Sequence, residues 1–231
     1  MREKAVLFAA ALVIFFLFSA GLPAAVAETA DTYSVTVDRV VQISGWGLVT
    51  VNDTFKVWNN STALLGDVPI GLPRNLTAGL RYLAARDDQN RVLTVERDID
   101  SSAETYWFRV NLAEELPNGK NYTFTVTYVF TNVFTRAPAG GFVYEFVTTP
   151  ILRVRGAYEN MTIIAGAASQ FSIPPESELV QTSEGGYAKV KGNFAPIEPY
   201  TTESLVLEMT STMSKYYRPA IAINLELPHW D

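Results

Sequence analysis

The stretch Tyr122-Thr123-Phe124-Thr125-Val126-Thr127-Tyr128-Val129-Phe130-Thr131 decides the fold. Large apolar side chains stand at 122, 124, 126, 128 and 130, with threonine at most of the alternate positions. Successive side chains of a strand point to opposite faces, so this period of two predicts a strand with one face in a core and one in water. Aromatic and β-branched residues suit such a half-buried pleated surface. Upstream, Trp107-Phe108-Arg109-Val110-Asn111-Leu112 alternates as well, and Leu116-Pro117-Asn118-Gly119-Lys120 lies between the two runs. Asn-Gly tolerates the positive φ of a tight turn. Residues 106–131 therefore read as an antiparallel hairpin.

The same pattern recurs outward at hairpin spacing. Segments 33–37 and 40–43 precede Gly45-Trp46-Gly47, and 48–51 and 54–58 follow, closed by Asn59-Asn60-Ser61. Segments 80–85 and 92–97 flank the polar turn Asp87-Asp88-Gln89-Asn90, and 142–147 and 152–157 flank Thr149-Pro150. A short apolar run covers 161–164. Segments 179–182 and 187–190 flank Glu184-Gly185-Gly186, and 204–209 is the last strand. The best helical window, 72–85, is broken by Pro73 and Gly79. Ile173-Pro174-Pro175-Glu176-Ser177 reads as a loop. Many short strands with frequent turns predict an all-β fold, an antiparallel β-sandwich built of hairpins, over residues 28–212.

The N-terminus reads as an export signal. Met1-Arg2-Glu3-Lys4 is charged and net basic, 5–20 is an apolar run whose one polar residue is Ser19, and Gly21-Leu22-Pro23 ends it. Ala25-Val26-Ala27 then supplies small residues for cleavage, so 1–27 is expected to be a signal peptide and the protein extracytoplasmic. The competing reading is a retained N-terminal anchor.

Composition excludes several functions. The chain has 231 residues, 48% of them hydrophobic, which argues against wholesale disorder. Its net charge of −6 and its lack of a basic tract make nucleic acid a poor partner. Cysteine is absent, which removes disulfides, thiolate metal sites and thiol nucleophiles. His229 is the single histidine, so a His-based triad or multi-His metal site is excluded by counting. No cofactor is expected.

Searching for catalytic motifs yields little. Nucleophile elbow, Walker loop, dinucleotide fingerprint and zinc-protease motif are all missing. Asp98-Ile99-Asp100 begins like a calcium loop but lacks the third acid, the glycine and the closing glutamate, and reads as a solvated strand end. Asp87-Asp88 reads as a hairpin tip and Glu114-Glu115 as surface charge. Trp46, Trp58 and Trp107 fit either a carbohydrate platform or ordinary core and hairpin packing. One signal stands above background: Asn-x-Ser/Thr occurs at Asn52, Asn59, Asn60, Asn75, Asn121 and Asn160, where chance predicts about two. In an exported chain each is a candidate N-glycosylation acceptor. Asn59 and Asn60 are adjacent and would not both be occupied.

Three stretches, in order, resemble the luminal region of ribophorin I, a non-catalytic subunit of the oligosaccharyltransferase. The first is Arg39-Val40-Val41-Gln42-Ile43-Ser44-Gly45-Trp46-Gly47 running on to Asn52-Asp53-Thr54. The second is Tyr106-Trp107-Phe108-Arg109-Val110-Asn111-Leu112 with Leu116-Pro117-Asn118-Gly119 and Tyr128-Val129-Phe130-Thr131. The third is Gln181-Thr182-Ser183-Glu184, then Gly192-Asn193 and Pro199-Tyr200-Thr201-Thr202. Together they cover roughly 39–212. The chain departs from the family in extra strands between Thr135 and Ser172. Ala195-Pro196-Ile197-Glu198 also replaces an aromatic-rich approach to Pro-Tyr.

The resemblance implies a non-catalytic, membrane-associated β-scaffold, here an archaeal relative. Its partner would be a membrane oligosaccharyltransferase catalytic subunit or another membrane or surface protein. It implies no catalytic residue. Membrane association is expected through a segment outside this chain. The tail 213–231 faintly echoes 40–47 and is read as the opening of a second repeat. The alternative function is a free-standing cell-surface structural or adhesion β-sandwich. An enzyme, such as a glycoside hydrolase fragment, would need carboxylates converging in a cleft.

Overall fold

The computed structural model describes residues 32–44, 47–97, 104–137, 141–147, 150–166, 169–173, 179–192, 196–201 and 204–211. The leader, the tail 213–231, Trp46, His229 and the 98–100 segment lie outside the described residues, as does most of the 173–177 loop. Sixteen strands account for most of what is described. They are β1 (Tyr33–Ile43), β2 (Val49–Asn59), β3 (Leu65–Pro73), β4 (Leu80–Asp87), β5 (Val92–Leu93), β6 (Val95–Arg97), β7 (Thr105–Leu116) and β8 (Asn121–Phe130). There follow β9 (Phe134–Ala137), β10 (Gly141–Val147), β11 (Ile151–Leu152), β12 (Gly156–Ala165), β13 (Ser169–Ser172), β14 (Val180–Glu184), β15 (Tyr187–Gly192) and β16 (Ser204–Ser211). One helical turn, α1 (Arg74–Thr77), interrupts them, lying between Pro73 and Gly79 inside the helix-like window 72–85.

An eight-stranded sheet runs β14-β15-β12-β1-β2-β8-β4-β5. A four-stranded sheet runs β11-β3-β7-β6, and another runs β13-β16-β10-β9. Alternation puts Val35, Val37 and Val41 of β1 on the inner face of the large sheet, with Val51, Phe55 and Val57 of β2. Phe124, Val126, Tyr128 and Phe130 of β8 join them. Val68, Ile70, Leu72, Phe108 and Val110 face them from the β3–β7 sheet, and Phe171 and Met209 come from the third sheet into the same core. The Phe108 and Tyr128 rings meet edge to face, 6.1 Å apart, so the two layers touch directly. The fold is a β-sandwich, as expected.

Three readings of strand pairing need correction. Residues 106–131 are two strands joined by a turn but not a hairpin. β7 pairs with β3 and β6, whereas β8 pairs with β2 and β4. Gly119 adopts φ 70°, as Asn-Gly sequences allow, but the turn carries the chain across the core into the opposite sheet. The physical reason is that Phe108 and Val110 and the β8 column are both apolar faces, and each is buried by facing the other. Likewise, 142–147 and 152–157 are not partners: β10 pairs with β9 and β16, and β12 with β1 and β15. The sandwich is also not purely antiparallel, because β1 and β12 pair in parallel.

The segments read separately at 33–37 and 40–43, and at 48–51 and 54–58, are each one continuous strand. Charge interrupts their apolar pattern, and the charges answer each other. Arg39 and Asp53 are direct cross-strand partners and both point inward. Arg39 Nε and Nη2 donate to Asp53 Oδ1 and Oδ2, each at 2.6 Å, with side-chain exposures of 4% and 0%. A bidentate fork is the geometry that lets two ions tolerate such burial. Removing one partner leaves an uncompensated buried charge. Arg39→Met alone is expected to cost about 3–5 kcal/mol, and the double variant Arg39→Met/Asp53→Leu to recover most of it. Urea unfolding of the three proteins checks this. Equal losses in the single and double variants would rule out the ion pair as the source.

Candidate functional site

The outer face of the eight-stranded sheet is polar and built by register. One row crosses it as Lys191, Thr162, Val40, Asn52 and Thr127. The next crosses as Asn160, Asp38, Thr54 and Thr125. Side chains bond along these rows. Thr127 Oγ1 donates to Asn52 Oδ1 (2.8 Å), and Asn160 Nδ2 donates to Asp38 Oδ1 (3.3 Å). The Thr54 and Thr125 hydroxyls share a hydrogen bond of 3.0 Å, and Lys56 Nζ lies 3.9 Å from Asp38. A groove of about 570 Å³ opens on this face, lined by Asp38, Val40, Asn160, Thr162, Val180 and Lys191 among others. A second, of about 470 Å³, has walls from Gln42, Thr50, Ile164, Tyr187 and Lys189. These are the next outward positions of β1, β2, β12 and β15, so both grooves lie on one face.

The six sequon asparagines have very different surroundings. Asn60, Asn75, Asn121 and Asn160 are exposed, and Asn52 is half-buried within the sheet. Asn59 is buried. Its Nδ2 donates to the carbonyls of Ala63 and Leu116, both at 2.7 Å, and its Oδ1 accepts from Ser61 N (2.9 Å). Both amide hydrogens are thus spent on backbone, and a glycan on that nitrogen would break one bond and need space that is filled. The local sequence signal for this role is an Asx turn, Asn59-Asn60-Ser61, closing a strand.

Of the acidic candidates, Asp87 and Glu114 enter ion pairs. Asp87 closes the β4–β5 turn with a buried carboxylate that accepts from Gln89 N, Arg91 N, Arg91 Nε (2.6 Å) and Tyr122 Oη (3.1 Å). Burial opposes its ionisation, but the Arg91 and Tyr122 hydrogen bonds outweigh it and hold the carboxyl below its usual range. Glu114 accepts from Arg91 Nη1 at 3.2 Å, Glu198 pairs with Arg155, and Glu184 with Lys189. Lys189 and Lys191 lower the Glu184 carboxyl in turn.

Among the described residues, Trp58 and Trp107 do not share a platform. Trp58 is half-buried on the large sheet, while Trp107 is buried on the other sheet under Arg153 (4.9 Å) and edge-on to Tyr200 (6.0 Å). Among the described residues, no group of three His, Cys, Asp or Glu could hold a metal. No helix among them is long and apolar enough to cross a membrane.

No family model matches the chain, and no curated protein matches it. Among solved structures, it is similar to an M1 zinc metallopeptidase from Deinococcus radiodurans at 13% identity, over 77% of this chain and 41% of that one, with a TM-score of 0.46. A two-domain M1 zinc metallopeptidase mutant bound to L-arginine gives 13% identity over the same shares, with a TM-score of 0.48. The chain thus spans less than half the length of these proteins.

Two outcomes are expected here. Asn59→Ala should lower stability by about 1–3 kcal/mol, because it strands two carbonyls. Asn60→Ala should change stability by under about 0.5 kcal/mol, and chemical denaturation distinguishes the two. Asp87→Asn should also destabilise at neutral pH. A lowered carboxyl stabilises above its unfolded value, near 3.9, and loses that contribution as pH falls through the folded one. The gap between wild type and Asp87→Asn should therefore hold down to about pH 4 and shrink below it. A gap unchanged through that range in unfolding midpoints would show that charge is not involved.

Proposed function

We propose that the protein is a non-catalytic extracytoplasmic scaffold resembling ribophorin I, acting beside a membrane oligosaccharyltransferase catalytic subunit in protein N-glycosylation. The observation that carries this reading is the order of the three resembling stretches along 39–212. The first follows β1 into its turn, the second takes in β7, the crossing turn and β8, and the third runs from β14 to the turn at 199–201. They therefore fall on the strands and connections that build the sandwich.

The side-chain chemistry supports the same reading. Asp53, Asp87, Glu114, Glu184 and Glu198 each pair with a cation. The buried Asp53 and Asp87 carboxylates brace the β1–β2 pair and the β4–β5 turn, the exposed glutamate pairs add little, and a scaffold needs such rigidity. The broad outer face, with its hydroxyls, amides and mixed charges, suits a polar contact surface rather than a dry interface.

A mild-detergent pull-down of the protein from its own membranes, followed by mass spectrometry, tests the proposal. Co-purification of a multi-span oligosaccharyltransferase subunit is the expected result. Recovery of surface-layer components, or of no membrane protein, would instead favour a free-standing structural or adhesion module.

A further inference from the structure

We propose that Asn160 carries an N-linked glycan and that its first sugars lie in the groove beside it on the eight-stranded sheet. The inference rests on the extracytoplasmic reading above and names what occupies that face.

The backbone aims Asn160 outward by a specific device. Along β12, Gly156 is buried, and so are Met161, Ile163 and Ala165. Strict alternation would put 156, 158 and 160 on one face and 161 on the other. Both Gly156 and Met161 nevertheless face inward, so one residue is inserted between them. The register with β1 records this insertion: Val37 opposes Tyr158, but Asp38 opposes Asn160. Bulges commonly re-aim a side chain in this way. Here the bulge places the acceptor of Asn160-Met161-Thr162 on the outer face, exposed, at the wall of the groove.

The amide chemistry is compatible with modification. Asn160 Nδ2 donates to Asp38 Oδ1 at 3.3 Å, and a glycosylated amide keeps one N–H that can still donate there. Asn59 lacks that freedom, since both of its amide hydrogens are spent on carbonyls. In the transfer, Asn160 Nδ2 bonds to the anomeric carbon of a polyisoprenyl phosphate-linked oligosaccharide. The bond from that carbon to the phosphate oxygen breaks, the lipid phosphate leaves with the electron pair, and the amide nitrogen releases one proton. No oxidant or reductant is required.

Timing favours access. A regular strand is a poor acceptor, but β12 pairs in parallel with β1, and Asn160 and Asp38 are 122 residues apart in sequence. Such non-local parallel pairing forms late, which leaves the sequon open during export. Once folded, the groove offers the mixture a sugar needs. Lys191 donates, Asp38 accepts, Thr162 does either, and Val40 and Val180 meet the C–H faces.

The test expresses the whole chain in a host that N-glycosylates a control secreted protein. Glycopeptides are mapped by mass spectrometry, and lysine acylation rates are compared between wild type, Asn160→Gln and Thr162→Val, which removes the sequon but keeps Asn160. The expected result is a glycan on Asn160 and several-fold slower acylation of Lys191 in wild type than in either variant. Glycans at Asn60, Asn75 or Asn121 with Asn160 bare would overturn this inference and leave the extracytoplasmic reading standing. No glycan on any sequon would also overturn this inference, whereas failure of the host to export the chain would overturn the extracytoplasmic reading on which it rests. A glycan on Asn160 with unchanged Lys191 reactivity would overturn its seating in the groove.

Discussion

The apolar column Phe124, Val126, Tyr128 and Phe130 on β8 is the constraint on which the sandwich depends. Each of these side chains gains about 1.5–3 kcal/mol from leaving water, so the column needs cover along its whole length. β2 and β4 take the two edges of β8, and their own inward side chains extend the surface sideways. Phe55 stacks on Phe124 with ring centroids 5.1 Å apart. Cover from above comes from β7, the strand that precedes β8 in the chain. A short turn must then span the thickness of the core rather than the spacing of neighbouring strands.

The end of β2 braces that turn. Asn59 N donates to Lys120 O (3.1 Å), Gly119 N donates to Asn59 O (2.8 Å), and the Asn59 side chain holds Leu116 O. One residue thus grips the chain on both sides of the crossing. Its burial follows from that task, which is also why its sequon is misleading.

Much of the strand content was legible because period two is a local property. The strands β8 and β7, the turn at Gly185 and Gly186 and the hairpin around Asp87–Arg91 all follow from neighbouring residues. Pairing is not local. Pro117-Asn118-Gly119 suits a hairpin and a crossing turn equally, and only the faces left uncovered elsewhere decide between them. The splits within β1 and β2 came from Asp38-Arg39 and Asn52-Asp53, which look like strand ends in one dimension. In register, Arg39 and Asp53 neutralise each other in the core, while Asp38 and Asn52 face out. The sequons were fully legible as motifs, but their accessibility depends on caps and register that no tripeptide encodes.

The display of Asn160 follows from packing rather than from any requirement at the surface. Gly156 lies so close to Leu152 that a Cβ there would come within 2.7 Å of its Cδ1 and would have to displace that buried side chain. Five residues on, Met161 is fully buried among the strands of the large sheet. An even and an odd position of one strand can both face inward only if the strand gains a residue between them. The bulge opposite Val37 and Asp38 is therefore demanded by the core, and the polar residue just before Met161 is turned outward beside Asp38. A core requirement at two buried positions thus determines which chemistry the sheet shows to its surroundings.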